Sequence, residues 1–281
     1  MGARSQMAAP DAGEAVWYGE VAVSGGRLPI AMAGEGTPCI LLHGWTLDHR
    51  LWLPQVAGLE DRHFLVMPDR RGSGRASAPP DLAREAEDVI AIADFLGFER
   101  FALLGLSRGA VVALDVARRY GSRVSALAVS GAPLPALVPR EEVIDLDRLR
   151  VLAAAGDLVA LREEWAQHPL MQTHTPESAA LMAAILADYD ARDLLVPGQT
   201  PGFPREVLAM LSMPVLAMTG EHDTPLRRAC AAALAATAPR ARHVEIPQAG
   251  HLANADNPDG FNAAVAHFLR ACAPPQTRLS A

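Results

Sequence analysis

The sequence predicts an α/β protein with a mostly parallel central sheet, flanking helices and one helical insertion. Three observations carry this prediction. Short apolar runs alternate with helical patterns through the first half of the chain, which is typical of buried strands joined by helices. Between residues 133 and 204, prolines bound an interval that contains helical patterns and no convincing strand pattern. Beyond it the alternation resumes, so we expect the interval to be an insertion within one sheet.

The predicted strands begin with an opening pair, residues 15–23 and 28–33, on either side of a Gly25-Gly26 turn. The later predicted strands span residues 39–42, 63–67, 101–104, 124–129, 215–218 and 242–246. The first four of these are short, continuous apolar runs. Such runs suit the interior of a sheet that is covered on both faces.

The predicted helices follow from the helical spacing of apolar residues. In the core they span residues 48–59, 81–96, 108–120, 226–236 and 260–272, and in the insertion they span 141–155, 158–168 and 176–187. The chain is therefore predicted to consist of a disordered leader at 1–14, a core formed by 15–132 and 205–274, and the helical insertion at 133–204.

Composition excludes several kinds of chemistry and of partner. All 25 basic side chains are arginine, so Schiff-base, pyridoxal-phosphate and phosphate-loop chemistry that needs lysine is excluded. The net charge of −7 argues against a nucleic-acid partner. No apolar run approaches the roughly 18 residues of a membrane span, and three widely spaced cysteines fit reduced thiols. We expect a cytoplasmic monomer or homodimer with no membrane partner.

Ser107 is the candidate nucleophile. It stands in Gly105-Leu106-Ser107-Arg108-Gly109, between the strand predicted at 101–104 and the helix predicted at 108–120. A chain that turns this sharply needs small flanking residues, exposes the serine hydroxyl above the sheet, and places it at a helix N-terminus that favours negative charge. The alternative, a structural serine in a tight turn, is disfavoured by the position between a buried strand and a long helix.

A serine nucleophile needs a base, and the base needs an acid that orients it. Asp223 and His251 each follow a predicted strand, so both come to the carboxyl edge of the sheet, where Ser107 also lies. The neighbouring Glu221 and His222 are rivals. Asp223 is preferred to Glu221 because the Thr-Pro that follows it suits a turn beginning there.

Four motifs in chain order resemble the α/β-hydrolase superfamily. They are His43-Gly44-Trp45, the segment at residues 69–74, the pentapeptide around Ser107, and Asp223 with Gly250-His251. The likeness covers about residues 17–269, apart from most of the insertion. It implies the α/β-hydrolase fold in its serine-nucleophile branch, with the insertion as a helical lid.

The resemblance also implies roles for single residues. Ser107, Asp223 and His251 form a catalytic triad, and the backbone N–H groups of Trp45 and Arg108 form the oxyanion hole, where fixed donors stabilise a tetrahedral oxyanion. His43 braces the loop structurally. The arginines and glycines at 69–74 could be mistaken for a phosphate loop, but a structural turn is preferred because lysine and the strand–loop–helix placement are missing.

Two features of the lid and of the turn around Ser107 bear on the substrate. Trp165, His168 and Met171 form an apolar, partly polar patch that either roofs the substrate or buries the inner face of the lid. Arg108 stands where the family frequently has methionine or glutamine. Its guanidinium either pairs with a substrate carboxylate or a lid acid, or points outward.

The resemblance implies a hydrolase that cleaves a small carboxylic ester or lactone through an acyl-enzyme on Ser107, in the manner of carboxylesterases and enol-lactonases. This chemistry requires no metal and no cofactor. Carbon–carbon bond hydrolases, thioester hydrolases and haloperoxidase-like perhydrolases use the same triad, and non-catalytic ligand receptors use the same fold, so these alternatives stay open. A dehalogenase is disfavoured because it carries an aspartate at the position of Ser107.

Overall fold

The structure, a computed structural model, describes residues 16–138, 144–196 and 201–272. Within these ranges eight strands form one sheet. They are β1 (Val16–Val23), β2 (Gly26–Ala33), β3 (Thr37–Leu42), β4 (His63–Pro68), β5 (Phe101–Leu106), β6 (Val124–Ser130), β7 (Val215–Gly220) and β8 (Ala241–Ile246).

The sheet has the strand order β1-β2-β4-β3-β5-β6-β7-β8. β2 pairs antiparallel with β1 and with β4, and all the other pairs are parallel. β4, β5 and β7 are buried along their whole length, whereas the edge strands β1 and β8 alternate between buried or half-buried and exposed residues. This pairing confirms the predicted mostly parallel α/β sheet. The prediction succeeded because a strand inside a covered parallel sheet is a continuous apolar run.

The helices of the described residues fall into the core and the lid. The core helices are α1 (Leu53–Leu59), α2 (Glu85–Phe95), α3 (Arg108–Arg119), α7 (Arg205–Ala209), α8 (Pro225–Thr237), α9 (Ala253–Asp256) and α10 (Pro258–Cys272). The lid helices are α4 (Leu146–Ala155), α5 (Leu158–Ala166) and α6 (Pro176–Ala187). Each lid helix begins at a side-chain cap, Asp145, Asp157 or Thr175, which accepts a hydrogen bond from the first turn.

The boundaries differ from the predictions in a few places. The helices predicted at 48–59 and 81–96 begin as 3₁₀ turns, His49–Trp52 and Leu82–Arg84, before they become α-helical. The short helices α7 and α9 were not predicted, because four or five residues are too few to show helical periodicity. The expected leader at 1–14, part of the expected insertion at 139–143 and 197–200, and the end of the expected core at 273–274 lie outside the described residues.

Apolar side chains fill both faces of the sheet. α2, α3 and α8 cover one face, and α1 and α10 cover the other. The lid helices α4, α5 and α6 add their buried apolar side chains to the second of these clusters, so the lid packs against the core. Among the helices of the described residues, none combines the length and the apolar character that a membrane span requires.

Candidate active site

The turn between β5 and α3 holds Ser107 in a strained backbone conformation, with φ 54° and ψ −115°. Its N–H donates to the carbonyl of Ser130 on the neighbouring strand, at 2.8 Å. A Cβ on Gly105 would meet the carbonyl of Gly109, and a Cβ on Gly109 would meet the carbonyls at the end of β3. The small residues predicted on sequence grounds are therefore required by close backbone packing.

Asp223 and His251 meet beyond the carboxyl ends of β7 and β8. Both carboxylate oxygens of Asp223 lie 3.1 Å from Nδ1 of His251, and both side chains are buried. A carboxylate on this side fixes the proton on Nδ1 and leaves Nε2 as a proton acceptor. Nε2 has no hydrogen-bond partner among the described residues, and His251 lines the same cavity as Ser107.

The rival residues lie elsewhere. Glu221 is exposed and accepts a hydrogen bond from the backbone N–H of Gln248, at 2.9 Å. His222 is exposed and packs its ring 5.1 Å from that of His174. Neither side chain approaches Ser107 through any contact that the structure records.

Gly131, at the end of β6, supports the histidine and was not singled out from the sequence. It has φ +58°, and a Cβ there would lie 2.5 Å from Cε1 and 2.7 Å from Nδ1 of His251. Only glycine combines this backbone conformation with such a close approach to the imidazole. The sequence offered one signal, a glycine directly after a buried strand.

Asp256, on α9, is a second supporting residue that sequence reasoning missed. Its buried carboxylate accepts hydrogen bonds from the N–H of Gly250, at 2.9 Å, and from the lid residues His174 (backbone N–H, 2.9 Å) and Ser178 (hydroxyl, 2.7 Å). It thus joins the residue preceding His251 to the start of the lid helix α6. No local sequence pattern reveals a contact between residues this far apart.

Trp45 and Arg108, the residues expected at the oxyanion hole, both line the cavity beside Ser107. Neither backbone N–H donates a hydrogen bond to any of the described residues. Their side chains are engaged instead: the indole N–H of Trp45 donates to Asp193 of the lid at 2.6 Å, and the guanidinium of Arg108 reaches the same carboxylate oxygen at 3.3 Å. Of the three arrangements considered for Arg108, pairing with a lid acid is the one observed.

His43 lies beneath this loop, fully buried. Its Nδ1–H donates to the carbonyl of Gly44 at 2.8 Å, and its Nε2 accepts from the N–H of Arg70 at 3.0 Å. Burial and then the positive charge of Arg70 lower its pKa to about 4. Arg70 also forms a two-pronged ion pair with Glu85, so the segment at 69–74 is held by internal pairs as a structural turn.

One group among the described residues has the composition of a metal site: Asp48, His49 and Asp69. Its carboxylates already have partners, because Asp48 pairs with Arg50 at 2.6 Å and Asp69 accepts from the ring and backbone N–H of His49. Burial raises the pKa of Asp69, but the hydrogen bonds and charge of His49 and the hydrogen bond from the Arg75 N–H together outweigh it and lower the pKa to about 2. These hydrogen bonds account for the proximity of the three side chains.

The cavity above Ser107 has a volume of about 590 Å³ and a mainly apolar lining. Trp165 and Met171 of the lid contribute to this lining, together with Leu170. His168 does not; it stacks on the Trp165 ring with the centroids 4.7 Å apart. His168 lies past the end of α5, and its expected contact with the substrate stays a prediction.

The comparisons with known proteins agree on one fold, and the relatives described below are hydrolases by name. The sequence model of a family described as "Alpha/beta hydrolase family" matches residues 39–264. "Putative carbamate hydrolase RutD" of Klebsiella pneumoniae (strain 342) is 29% identical over 269 residues, which cover 88% of this chain and 97% of that protein. The pimeloyl-[acyl-carrier protein] methyl ester esterase of Aeromonas hydrophila is 28% identical over 264 residues, 84% of this chain and 96% of that protein.

The solved structures include an enol-lactonase from Burkholderia xenovorans LB400. It superposes with a TM-score of 0.74 and is 25% identical, covering 90% of this chain and 100% of the other. The matches span nearly the whole length of these proteins, so the likeness extends over core and lid together.

Proposed function

Since the chain belongs to the alpha/beta hydrolase family, we propose that it is a serine hydrolase that cleaves a small carboxylic ester or lactone through an acyl-enzyme on Ser107. The observation that carries the proposal is the placement of His251. Its Nδ1 is bound to Asp223 at 3.1 Å, and its Nε2 is left without a partner among the described residues, beside the cavity that Ser107 lines. The esterase and enol-lactonase among the relatives support the class of substrate.

In the first half of the reaction, the hydroxyl of Ser107 attacks the substrate carbonyl while Nε2 of His251 takes its proton. Asp223 stabilises the imidazolium that results. The carbonyl oxygen becomes an oxyanion, and the N–H groups of Trp45 and Arg108, which are unpaired among the described residues, donate to it. The tetrahedral intermediate collapses as His251 returns the proton to the leaving alcohol, or to the ring oxygen of a lactone.

In the second half, a water molecule takes the place of the alcohol. His251 deprotonates this water as it attacks the acyl-enzyme, and the second oxyanion is stabilised by the same two N–H groups. Proton transfer from His251 to Ser107 then releases the carboxylic acid. Each proton that moves is held at Nε2 of His251, which is why its orientation by Asp223 matters.

The cavity supports a small organic substrate. Its volume of about 590 Å³ and apolar walls suit an acyl or alcohol part of modest size. Two arginines reach the lining, but the described contacts place Arg108 against Asp193 and Arg227 against the carbonyl of Gly131. The walls therefore select mainly by shape and apolar contact.

The test is a substrate panel run on the wild type and on Ser107→Ala. The panel holds nitrophenyl esters of increasing acyl length, a methyl ester, small lactones, a carbamate, a thioester and a diketone. We expect ester or lactone turnover in the wild type and a loss of at least about 10³-fold in Ser107→Ala. A fluorophosphonate probe followed by peptide mass spectrometry is expected to label Ser107.

The other outcomes separate the alternatives. Turnover of the thioester or diketone without turnover of esters and lactones replaces the proposed substrate class and keeps the triad. A wild type that turns over nothing, is not labelled at Ser107 and still binds a ligand is a receptor on this fold, and the proposed reaction is then wrong.

A further inference from the structure

A carboxylate of the lid contacts the side chains of both residues expected at the oxyanion hole. Asp193 lies in the 3₁₀ turn Arg192–Leu195, and its side chain is only 10% exposed. One oxygen accepts from the Trp45 indole N–H at 2.6 Å and from the Arg108 guanidinium at 3.3 Å. The other accepts from the Tyr189 hydroxyl at 2.6 Å.

These contacts form one compact cluster. The guanidinium of Arg108 lies over the Trp45 ring, 5.2 Å from its centroid. Burial, followed by the negative charge of Asp193, raises the pKa of Tyr189, so its hydroxyl stays protonated and donates. Asp193 is thus a buried charge with an ion-pair partner and two further donors, an arrangement that fixes its position.

The loop that carries Trp45 depends on such contacts, because no helix or strand holds it. Trp45 lies between the end of β3 and the 3₁₀ turn His49–Trp52, and the next residue, Thr46, has φ 63°, which is costly for a β-branched residue. An oxyanion hole works only when its donors are fixed at about 2.7–3.1 Å from the developing charge. A small shift of the Trp45 peptide therefore removes part of the stabilisation.

We propose that Asp193 is a positioning residue, which holds the Trp45 and Arg108 N–H groups in place and so makes the oxyanion hole dependent on the lid. The inference rests on the proposed function. Asp193 acts through the two side chains and does not itself touch the reacting atoms. The lid is then part of the catalytic arrangement as well as a wall of the cavity.

The test compares Asp193→Ala and Asp193→Asn with the wild type on a short ester. Alanine removes every acceptor, whereas asparagine keeps the size of the side chain with a single acceptor oxygen and no charge. We expect kcat to fall at least about tenfold in Asp193→Ala, with KM changing less than about threefold, and an intermediate kcat in Asp193→Asn.

The binding affinity of a trifluoromethyl ketone tests the positioning role, because a purely structural role of Asp193 would leave this affinity unchanged. Ser107 adds to its carbonyl, the serine proton passes to His251, and the carbonyl oxygen becomes an oxyanion in the hole. We expect the variants to bind this ketone more weakly by the same factor as the loss in kcat, and to bind the product carboxylic acid with an affinity close to that of the wild type.

Asp188→Asn is the matched control. Asp188 also links lid and core, through an ion pair with Arg50 at 2.8 Å, but it contacts neither Trp45 nor Arg108. We expect wild-type kcat and ketone affinity in this variant. If Asp193→Ala and Asp193→Asn fold, by circular dichroism, and keep the wild-type kcat and ketone affinity, or change KM alone, the inference is overturned. Failure of the proposed function is distinct: the wild type itself shows no turnover and no label on Ser107.

Discussion

The core and the lid hold the residues around the cavity by different means. In the core, the geometry of the backbone fixes these residues. Ser107 is fixed by a strained turn packed between Gly105 and Gly109, and His251 packs directly against Gly131. Gly105, Gly109 and Gly131 each exclude a larger residue, because an added Cβ would collide with the backbone or with the imidazole.

In the lid, single side-chain hydrogen bonds hold the residues that face the cavity against the core. Asp193 binds the Trp45 indole at 2.6 Å, and the Trp165 indole donates to the hydroxyl of Thr46 at 2.9 Å. The partners in these two bonds are 148 and 119 positions apart in the sequence. Under the proposed function, the core carries the reacting groups and the lid positions the loop that carries Trp45.

Asp223→Asn is expected to give the largest effect, on the core side of this comparison. Asparagine fits the space but donates to Nδ1 of His251, so the imidazole carries its proton on Nε2 and cannot accept the one from Ser107. We expect kcat for the best ester to fall by roughly 10⁴-fold, with the fold unchanged. Steady-state kinetics and circular dichroism measure the two quantities.

Glu221→Gln is the matched control for this change. Glu221 is an exposed acid two residues away and contacts the backbone N–H of Gln248. We expect its kcat to stay within about twofold of the wild type, as for a surface substitution. A larger loss in Glu221→Gln than in Asp223→Asn would show that the acid has been assigned to the wrong residue.

The stability of the core is expected to depend on pH through the buried side chain of His43. Burial and the charge of Arg70 lower the pKa of His43 from 6.5 to about 4. Its neutral ring is required, because Nε2 accepts from the N–H of Arg70. The unfolded chain binds this proton near pH 6.5 and the folded chain only near pH 4. The contribution of His43 to the free energy of unfolding is therefore complete above pH 6.5. It is lost as the pH falls towards 4, by on the order of 3 kcal/mol.

Denaturant unfolding at a series of pH values measures this loss, and nuclear magnetic resonance of the His43 ring assigns it. Burial likewise lowers the pKa of His63 and of His243, which adds to the fall in the same direction. Asp69, with its pKa lowered to about 2, contributes in a separate window below about pH 4. A His43 ring that becomes protonated near pH 6.5 in the folded protein contradicts the prediction.

The same contrast between core and lid explains how much could be predicted from the sequence. The strands of the core were predicted because a buried parallel strand is a continuous apolar run. The group of Ser107, Asp223 and His251 could be expected because Ser107 and Asp223 follow such strands and His251 follows the next predicted parallel strand, so the sheet brings all three to one edge. Their roles in catalysis remain predictions that Ser107→Ala and Asp223→Asn test.

The contacts of the lid could not be predicted in this way. Helical spacing identified α4, α5 and α6 but does not show which of their polar side chains meets which residue of the core. Asp193 was therefore missed. Asp256 was missed for the same reason, since its partners on the lid lie about 80 residues away.

The smallest expected effect belongs to the lid, in Trp165→Phe. Phenylalanine keeps an aromatic ring against Trp45, whose ring centroid lies 4.6 Å away, but it cannot donate to the hydroxyl of Thr46. That hydroxyl in turn donates to the carbonyl of Trp45 at 2.6 Å, so the lost bond loosens the loop without uncovering the cavity. We expect kcat to fall about threefold and the free energy of unfolding to fall by about 1 kcal/mol for the lost bond, beyond the loss from the smaller ring.

Trp52→Phe separates the lost hydrogen bond from the lost volume. Trp52 is fully buried in the core, packs on Phe261 with the ring centroids 6.2 Å apart, and its indole N–H has no partner among the described residues. The same substitution there removes the same atoms and no hydrogen bond, so we expect a loss of stability with an unchanged kcat. If the two variants have equal kcat, the hydrogen bond from Trp165 to Thr46 does not help to position the loop. A loss of kcat confined to Trp165→Phe instead extends the proposed positioning role from Asp193 to a second lid residue, on the helix α5.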